Sequence, residues 1–363
     1  MTTVTTETAF DRPSTHPVPW KPMVRVTWLQ HRTALIGLLV LAVGCALAMI
    51  LSQESTHAAY ASYVARGCVA NPLHGPCGTI ANSVGKDTDS FSAVVIALHV
   101  LPVIIGLFIG APLLAREIES GTYRFTWTQE VGRTRFVLTT FVMLATVVTA
   151  VACLLGLLLG WYGHPFEVVG VERQWQSGLF DTTVFMLGAW TLFALALGSF
   201  LGALIGRTVA AMAATTAVVG GLLIVSFLDL VHGLLGVGAI ATSKITPNGP
   251  GIGIGALNAG NYVSGPPPGS WQVRGWIIGP NGHVLSTTAA NNMLGRAYDA
   301  IGKTFANNAT TRWLSLHHYT YWVSYQPASR FWVFQGVAGV ILIGLAALLV
   351  FATIRALARR AAH

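Results

Sequence analysis

Residues 182–228 form an almost unbroken apolar run in which Arg207 is the only formal charge. About 20 apolar residues already carry a helix across the hydrocarbon core of a bilayer. The run is therefore too long for one membrane helix and too apolar for a helix in water. Two helices joined by a tight turn resolve the conflict, and Gly206-Arg207-Thr208 is the natural place for that turn. Four further runs are long enough to cross, at about 33–52, 91–114, 136–160 and 331–354. With 182–206 and 208–228 they make six spans. Only 9% of the 363 residues are charged, against about 25% in soluble domains, and one soluble core cannot hide so much apolar surface. The expected fold is an all-α membrane protein with six transmembrane helices.

The placement of charge gives this layout an orientation. With the N-terminus inside, the short cytoplasmic segments hold Arg12, Lys21, Arg25, Arg32, Arg116, Arg124, Arg133, Arg135, Arg207, Arg355, Arg359 and Arg360, which is 12 of the 21 basic residues. Arg66, Lys86, Arg173 and six more fall outside, most of them in one long loop where the positive-inside rule has little force. An odd number of spans would put Arg355, Arg359 and Arg360 on the outer side. Both termini are thus expected in the cytoplasm, in a multi-pass protein of the cell (plasma) membrane. The net charge of +8 is accounted for by these flanks, and nucleic-acid binding is a poor reading.

Four segments follow. Residues 1–32 are a cytoplasmic tail, polar over 1–20, leading into an interfacial helix at 21–32 with Met23, Val26, Trp28 and Leu29 set among Lys21, Arg25 and Arg32. The first span exceeds the apolar core of a cleaved signal, despite the triplet Ala46-Leu47-Ala48. Residues 33–228 carry spans 1–5, with a polar outer loop at 53–89. Residues 229–330 form the large extracytoplasmic loop, rich in Gly, Pro, Asn and Thr. Its apolar start at 230–256 is broken by Lys244, Pro247 and Pro250 and reads as a re-entrant or surface piece. Its middle reads as turns between short strands or coil. Residues 331–363 are span 6 and a basic tail.

Candidate chemistry is sparse. Cys45 and Cys153 lie in apolar runs as small hydrophobes. Cys68 and Cys77 share the first outer loop, where an oxidising side would favour a disulfide over free thiols. His74 between them supplies only a third metal ligand, so no metal site is expected. Glycines at Gly106/Gly110, Gly156/Gly160 and Gly198/Gly202/Gly206 have the spacing of closely packed membrane helices. His99, three residues before Pro102, sits deep in span 2; a packed histidine is the plainer account and a substrate or proton path the sharper one. Asp181 and Asp229, at outer span ends, read as solvated interface residues. Gly302-Lys303-Thr304 resembles the end of a phosphate-binding loop, but Ala297 replaces the first glycine and no strand precedes it. No nucleotide site and no enzyme active site is expected. The aromatics of 313–325, from Trp313 to Trp322, read as a membrane-surface belt ahead of span 6.

The loop 115–135 is the informative one. It is short, densely charged and interleaved with Ile118, Tyr123, Phe125 and Trp127, a surface suited to docking a soluble partner. The pattern Arg116-Glu117-x-Glu119-x-Gly121-Thr122-x-Arg124-x-x-Trp127-Thr128-Gln129, closing on Arg133-Thr134-Arg135, resembles the first cytoplasmic loop of actinobacterial ABC export permeases of the type-2 class. Tyr325-Gln326-Pro327-Ala328-Ser329-Arg330-Phe331-Trp332 resembles the entry to their last helix. The resemblance implies a permease subunit that moves a hydrophobic or amphipathic substrate outward, by alternating access driven by a separate ATPase chain. Arg116, Glu117, Glu119, Gly121, Thr122, Arg124 and Trp127 would then form the coupling loop. Two ATPase copies would bind the ATP and Mg, and a second permease chain, identical or sister, would complete the complex. No cofactor would bind this chain, and drug or antibiotic efflux is the frequent role of such a permease. A secondary transporter or channel without an ATPase is the alternative, but the halves show no repeat and the spans carry almost no charge for an ion.

Overall fold

A computed structural model describes residues 20–69, 76–121, 133–169, 177–227, 241–245, 270–300 and 309–360. Six of its helices are long and apolar enough to cross a membrane: Thr27–Leu51, Thr88–Glu119, Val137–Val169, Val184–Ile205, Thr208–Phe227 and Ala328–Arg359. They coincide with the six expected runs.

The first helix, α1, runs from Trp20 to Leu51 without interruption. The separate interfacial helix expected at 21–32 is therefore fused to the first span. No glycine or proline stands near the 32/33 boundary to break the hydrogen-bond ladder, and Pro22 lies in the first turn, where a missing N–H costs nothing. Two short helices follow, α2 (Glu54–Ala65) and α3 (Cys77–Gly85), where the sequence suggested only a polar loop. A disulfide joins Cys68 to Cys77, and both pack with Tyr63 in a small satellite core.

Span 2 is built from α4 (Thr88–Ile105), a π-helical turn over Gly106–Gly110 and α5 (Ala111–Glu119). Pro112 explains the irregularity. It cannot donate to the turn before it, and a wider turn relieves its ring from the preceding carbonyls. Span 3 is α6 (Arg133–Val169). A short α7 (Ser177–Thr182) and an extended Thr183 lead into α8 (Val184–Ile205), which is span 4. Gly206 then adopts φ 69°, a left-handed conformation open to glycine, and ends the helix before α9 (Thr208–Phe227) begins. The turn expected at Arg207 is there.

Span 4 occupies the middle of the bundle. Of its most apolar window 72% is buried, against 17% for the first span and 22% for the last. Small residues make this possible. A Cβ added at Gly198 would lie 2.6 Å from the Gly106 carbonyl oxygen, and one at Gly202 would lie 2.5 Å from that of Ala111. Gly110 in turn faces the Leu195 carbonyl at 2.8 Å. The glycines of spans 2 and 4 thus interlock, backbone against backbone, which is how helices associate tightly in lipid. Gly156 meets the start of span 4 at Val184, whereas Gly160 faces open space and Gly206 serves the turn.

The segment after span 5 adds a small antiparallel sheet to the helical fold. Strands β1 (Ala241–Ile245), β2 (Trp271–Ile278) and β3 (Thr320–Gln326) pair in the order β1-β3-β2. Helices α10 (Thr287–Ala300) and α11 (Ala309–Leu316) accompany the sheet, with Ile277, Met293, Leu294, Leu314, Tyr321 and Val323 as their shared core. A 3-10 turn at Ala328–Arg330 opens the last helix, α12 (Phe331–Arg360). The expected surface piece at 230–256 is described only where it forms β1, and Gly302-Lys303-Thr304 lies outside the described residues.

Candidate functional site

The end of the bundle that carries Arg207 holds the described start of the charged loop, Arg116 to Gly121. Helix α5 leaves span 2 with Arg116 exposed, Glu117 and Ile118 half-buried and Glu119 exposed. The Ser120 amide and hydroxyl both donate to the Arg116 carbonyl, at 3.0 and 2.8 Å. Gly121 follows with φ 70° and its amide on the Ile118 carbonyl at 3.3 Å. This is a glycine-terminated helix end, where any residue with a Cβ would be strained. Thr122, Arg124 and Trp127 lie outside the described residues.

Glu119 has a role that spacing alone did not suggest. Its Oε2 accepts the Thr208 backbone N–H at 2.8 Å. Thr208 is the first residue of α9, so a carboxylate from span 2 caps the N-terminus of span 5. Such a terminus has unpaired amides and a partial positive charge, and an acid there is favourable on both counts. Beneath this cap Ala111, Ala115 and Ala211 pack without side-chain bulk between spans 2 and 5, beside Ile205 and Met212. The start of the charged loop is therefore tied to three spans: to span 2 covalently, to span 5 by the cap, and to span 4 through the turn at Gly206.

His99 is buried in span 2, and its Nε2 lies 3.3 Å from the Leu223 carbonyl of span 5. A carbonyl only accepts, so Nε2 carries the proton. The ring also meets Phe227 edge-on at 5.7 Å. Asp181 corrects the expectation of a solvated interface residue. It is 3% exposed, accepts the Trp190 indole N–H at 3.1 Å and binds the Ser226 hydroxyl, joining the start of span 4 to the end of span 5. Gln335 of span 6 is fully buried beside it, accepting from the Thr183 hydroxyl at 2.8 Å and donating to the Phe180 carbonyl at 2.9 Å. Asp229 lies outside the described residues. Sequence reading missed this network because Asp181 borders the apolar run and its partners Trp190 and Ser226 are 9 and 45 residues away.

Beside this network a cavity of about 550 Å³ opens between spans 3, 4 and 6, with Thr182 and Thr183 in its lining. His99 is not among its lining residues. Among the described residues no group of three or more His, Cys, Asp or Glu side chains is placed to hold a metal ion.

Six helices long and apolar enough to cross a membrane, with a glycine-rich fourth span in the middle of the bundle, make a multi-pass membrane protein. The family model for ABC-2 membrane transporter related proteins matches residues 38–228, spans 1 to 5. The chain belongs to that family, and it is a transport permease. No curated protein and no solved structure matches it.

Proposed function

We propose that the chain is the transmembrane permease subunit of an ATP-driven ABC exporter, with the loop 115–135 as its contact to a separate ATPase subunit. The observation that supports this reading best is the Glu119 cap on Thr208. A coupling loop must pass a push from a soluble partner to several helices at once. A loop whose first turn is bonded to span 5 as well as to span 2 does so, where a loop hanging from one helix would only flex. On this reading both termini and the Arg207 end face the cytoplasm, and the disulfide-linked α2–α3 pair and the sheet lie outside. Two permeases, identical or sister, work with two ATPases that bind ATP and Mg, and the substrate is hydrophobic or amphipathic.

The experiment is co-expression with the ATPase encoded beside the gene, followed by co-purification and reconstitution in vesicles. ATP hydrolysis should rise when both chains are present and fall when Gly121→Pro or Glu117→Ala is introduced in the permease. Hydrolysis that is indifferent to both substitutions, or no co-purifying ATPase, would favour a transporter that works without ATP.

A further inference from the structure

We propose that span 3 is a swinging gate: its half at the Arg207 end moves away from a rigid block made of the matching halves of spans 2, 4 and 5, about a pivot near Gly156. The block is fixed by backbone contact. Between Gly106 and Glu119, span 2 lies against span 4 at Gly198 and Gly202 with no side chain in between. A Cβ added at Gly106 would stand 3.0 Å from the Ala194 carbonyl oxygen of span 4 and 3.0 Å from Thr215 Cγ2 of span 5. The packing of Ala111 and Ala115 with Ala211, and the Glu119 cap on Thr208, fasten spans 2 and 5. Backbones this close have no side-chain torsion to absorb sliding, so the three half-spans move together.

Span 3 joins this block in two different ways along its length. Toward its far end Gly156 sits on the backbone of span 4, where a Cβ would come within 2.8 Å of the Val184 Cα, and the Phe166 ring stacks on Phe91 of span 2 at 4.7 Å. From Arg133 to Val148 it has no glycine at all. There Val137 and Phe141 face Leu113 of span 2 and Ser199 of span 4 across a void of about 10 Å³. The Ser199 and Thr353 hydroxyls in the lining of that void both return to their own helices, on the Leu195 and Leu349 carbonyls at 2.8 Å, and bond nothing across it. Side chains packed in this way can shear past one another by changing rotamer, which interlocked backbones cannot. Span 3 also begins at Arg133, where the charged loop ends, so a push on the loop against the Glu119 cap moves this end of span 3 first. From Gly156 to Val137 the helix runs about 28 Å at 1.5 Å per residue, so a tilt of about 10° carries Val137 roughly 5 Å. Thr27 of span 1 shares a hydrogen bond with Thr140 at 3.3 Å, so span 1, the least buried of the six, rides with the gate.

As the inner mouth of a transport path the gate rests on the proposed function, but its movement is tested on the chain alone. Nitroxide labels go on exposed positions of a chain whose Cys45 and Cys153 are alanine, and pulsed dipolar distances are read in lipid nanodiscs. Leu138→Cys with Val209→Cys spans the gate, and Phe108→Cys with Val209→Cys lies within the block; all three positions are exposed. Across the gate two populations are expected, about 5 Å apart, and within the block a single one. Phe141→Ala removes packing from the gate and should raise its wider population roughly threefold or more while the block distance stays unchanged. One narrow distance across the gate with and without Phe141→Ala, or a block pair that broadens as much as the gate pair, would overturn the proposal. A gate that moves as described beside an ATPase that never couples would sink the export reading alone, and coupled hydrolysis over a fixed gate would sink the gate alone.

Discussion

The interlock of spans 2 and 4 predicts opposite signs for the same substitution at two glycines. Gly344 lies on the exposed face of span 6, with nothing within 4 Å of an added Cβ. Replacing a helical glycine by alanine there should stabilise by about 0.5–1 kcal/mol, because the unfolded chain loses freedom it would otherwise have kept. At Gly198 the same methyl would stand 2.6 Å from the Gly106 oxygen, 2.7 Å from the Ala111 nitrogen and 2.9 Å from the Gly110 carbonyl carbon. Ordinary contacts begin near ~3.5 Å, so two helix backbones would have to separate by nearly an ångström. Backbone atoms cannot rotate away as a side-chain tip would. Overpacking of this kind costs typically about 1–3 kcal/mol, which outweighs the propensity gain and leaves Gly198→Ala destabilised by about 1–2 kcal/mol. Thermal unfolding in detergent, followed by intrinsic tryptophan emission at a fixed scan rate, should place Gly198→Ala below the parent and Gly344→Ala at or above it. If the two variants move together in the upward direction, spans 2 and 4 do not touch as described.

Removing the Asp181 carboxylate should be costly in another way. Asp181→Ala strands the Trp190 N–H and the Ser226 hydroxyl in a buried site, so a loss of about 2–4 kcal/mol is expected from two unmet groups, read as reduced thermal stability with Ser226→Ala milder. Glu119→Ala should expose the Thr208 amide, and hydrogen exchange at the start of span 5 should accelerate while the rest of that helix stays protected. Reducing the Cys68–Cys77 bridge, which closes a loop of nine residues' separation, should cost the α2–α3 pair about 2–3 kcal/mol by loop entropy. Exchange should rise over 54–85 and nowhere in the spans.

The spans were legible because lipid leaves a chain few choices: apolar length sets the number of crossings, and a lone Arg207 beside Gly206 marks where a continuous run must fold back. The glycine spacing announced close packing, yet it could not say which helices met. Gly106 and Gly110 found Gly198 and Gly202, while Gly160, with the same spacing, lines an open slot. The fusion of 21–32 with span 1 was hidden because charged and aromatic side chains suit an interfacial helix and the cytoplasmic extension of a membrane helix equally well. Glu119 was picked out by motif, but its bond to Thr208 spans 89 residues and leaves no local pattern. The same holds for Asp181. A carboxylate beside an apolar run looks solvated until the residues that surround it are brought in from elsewhere.

The central claim is that the end of the bundle carrying Ser120 and Arg207 faces the ATPase in the cytoplasm. Membrane-impermeant maleimide labelling tests it most directly, using Ser120→Cys and Arg207→Cys in a chain whose Cys45 and Cys153 are replaced by alanine. Ser315→Cys, exposed near the sheet, marks the opposite side. The account predicts that Ser315→Cys labels in intact cells, and that Ser120→Cys and Arg207→Cys label only in inverted vesicles. Labelling of either from outside intact cells would contradict the topology and the coupling mechanism together.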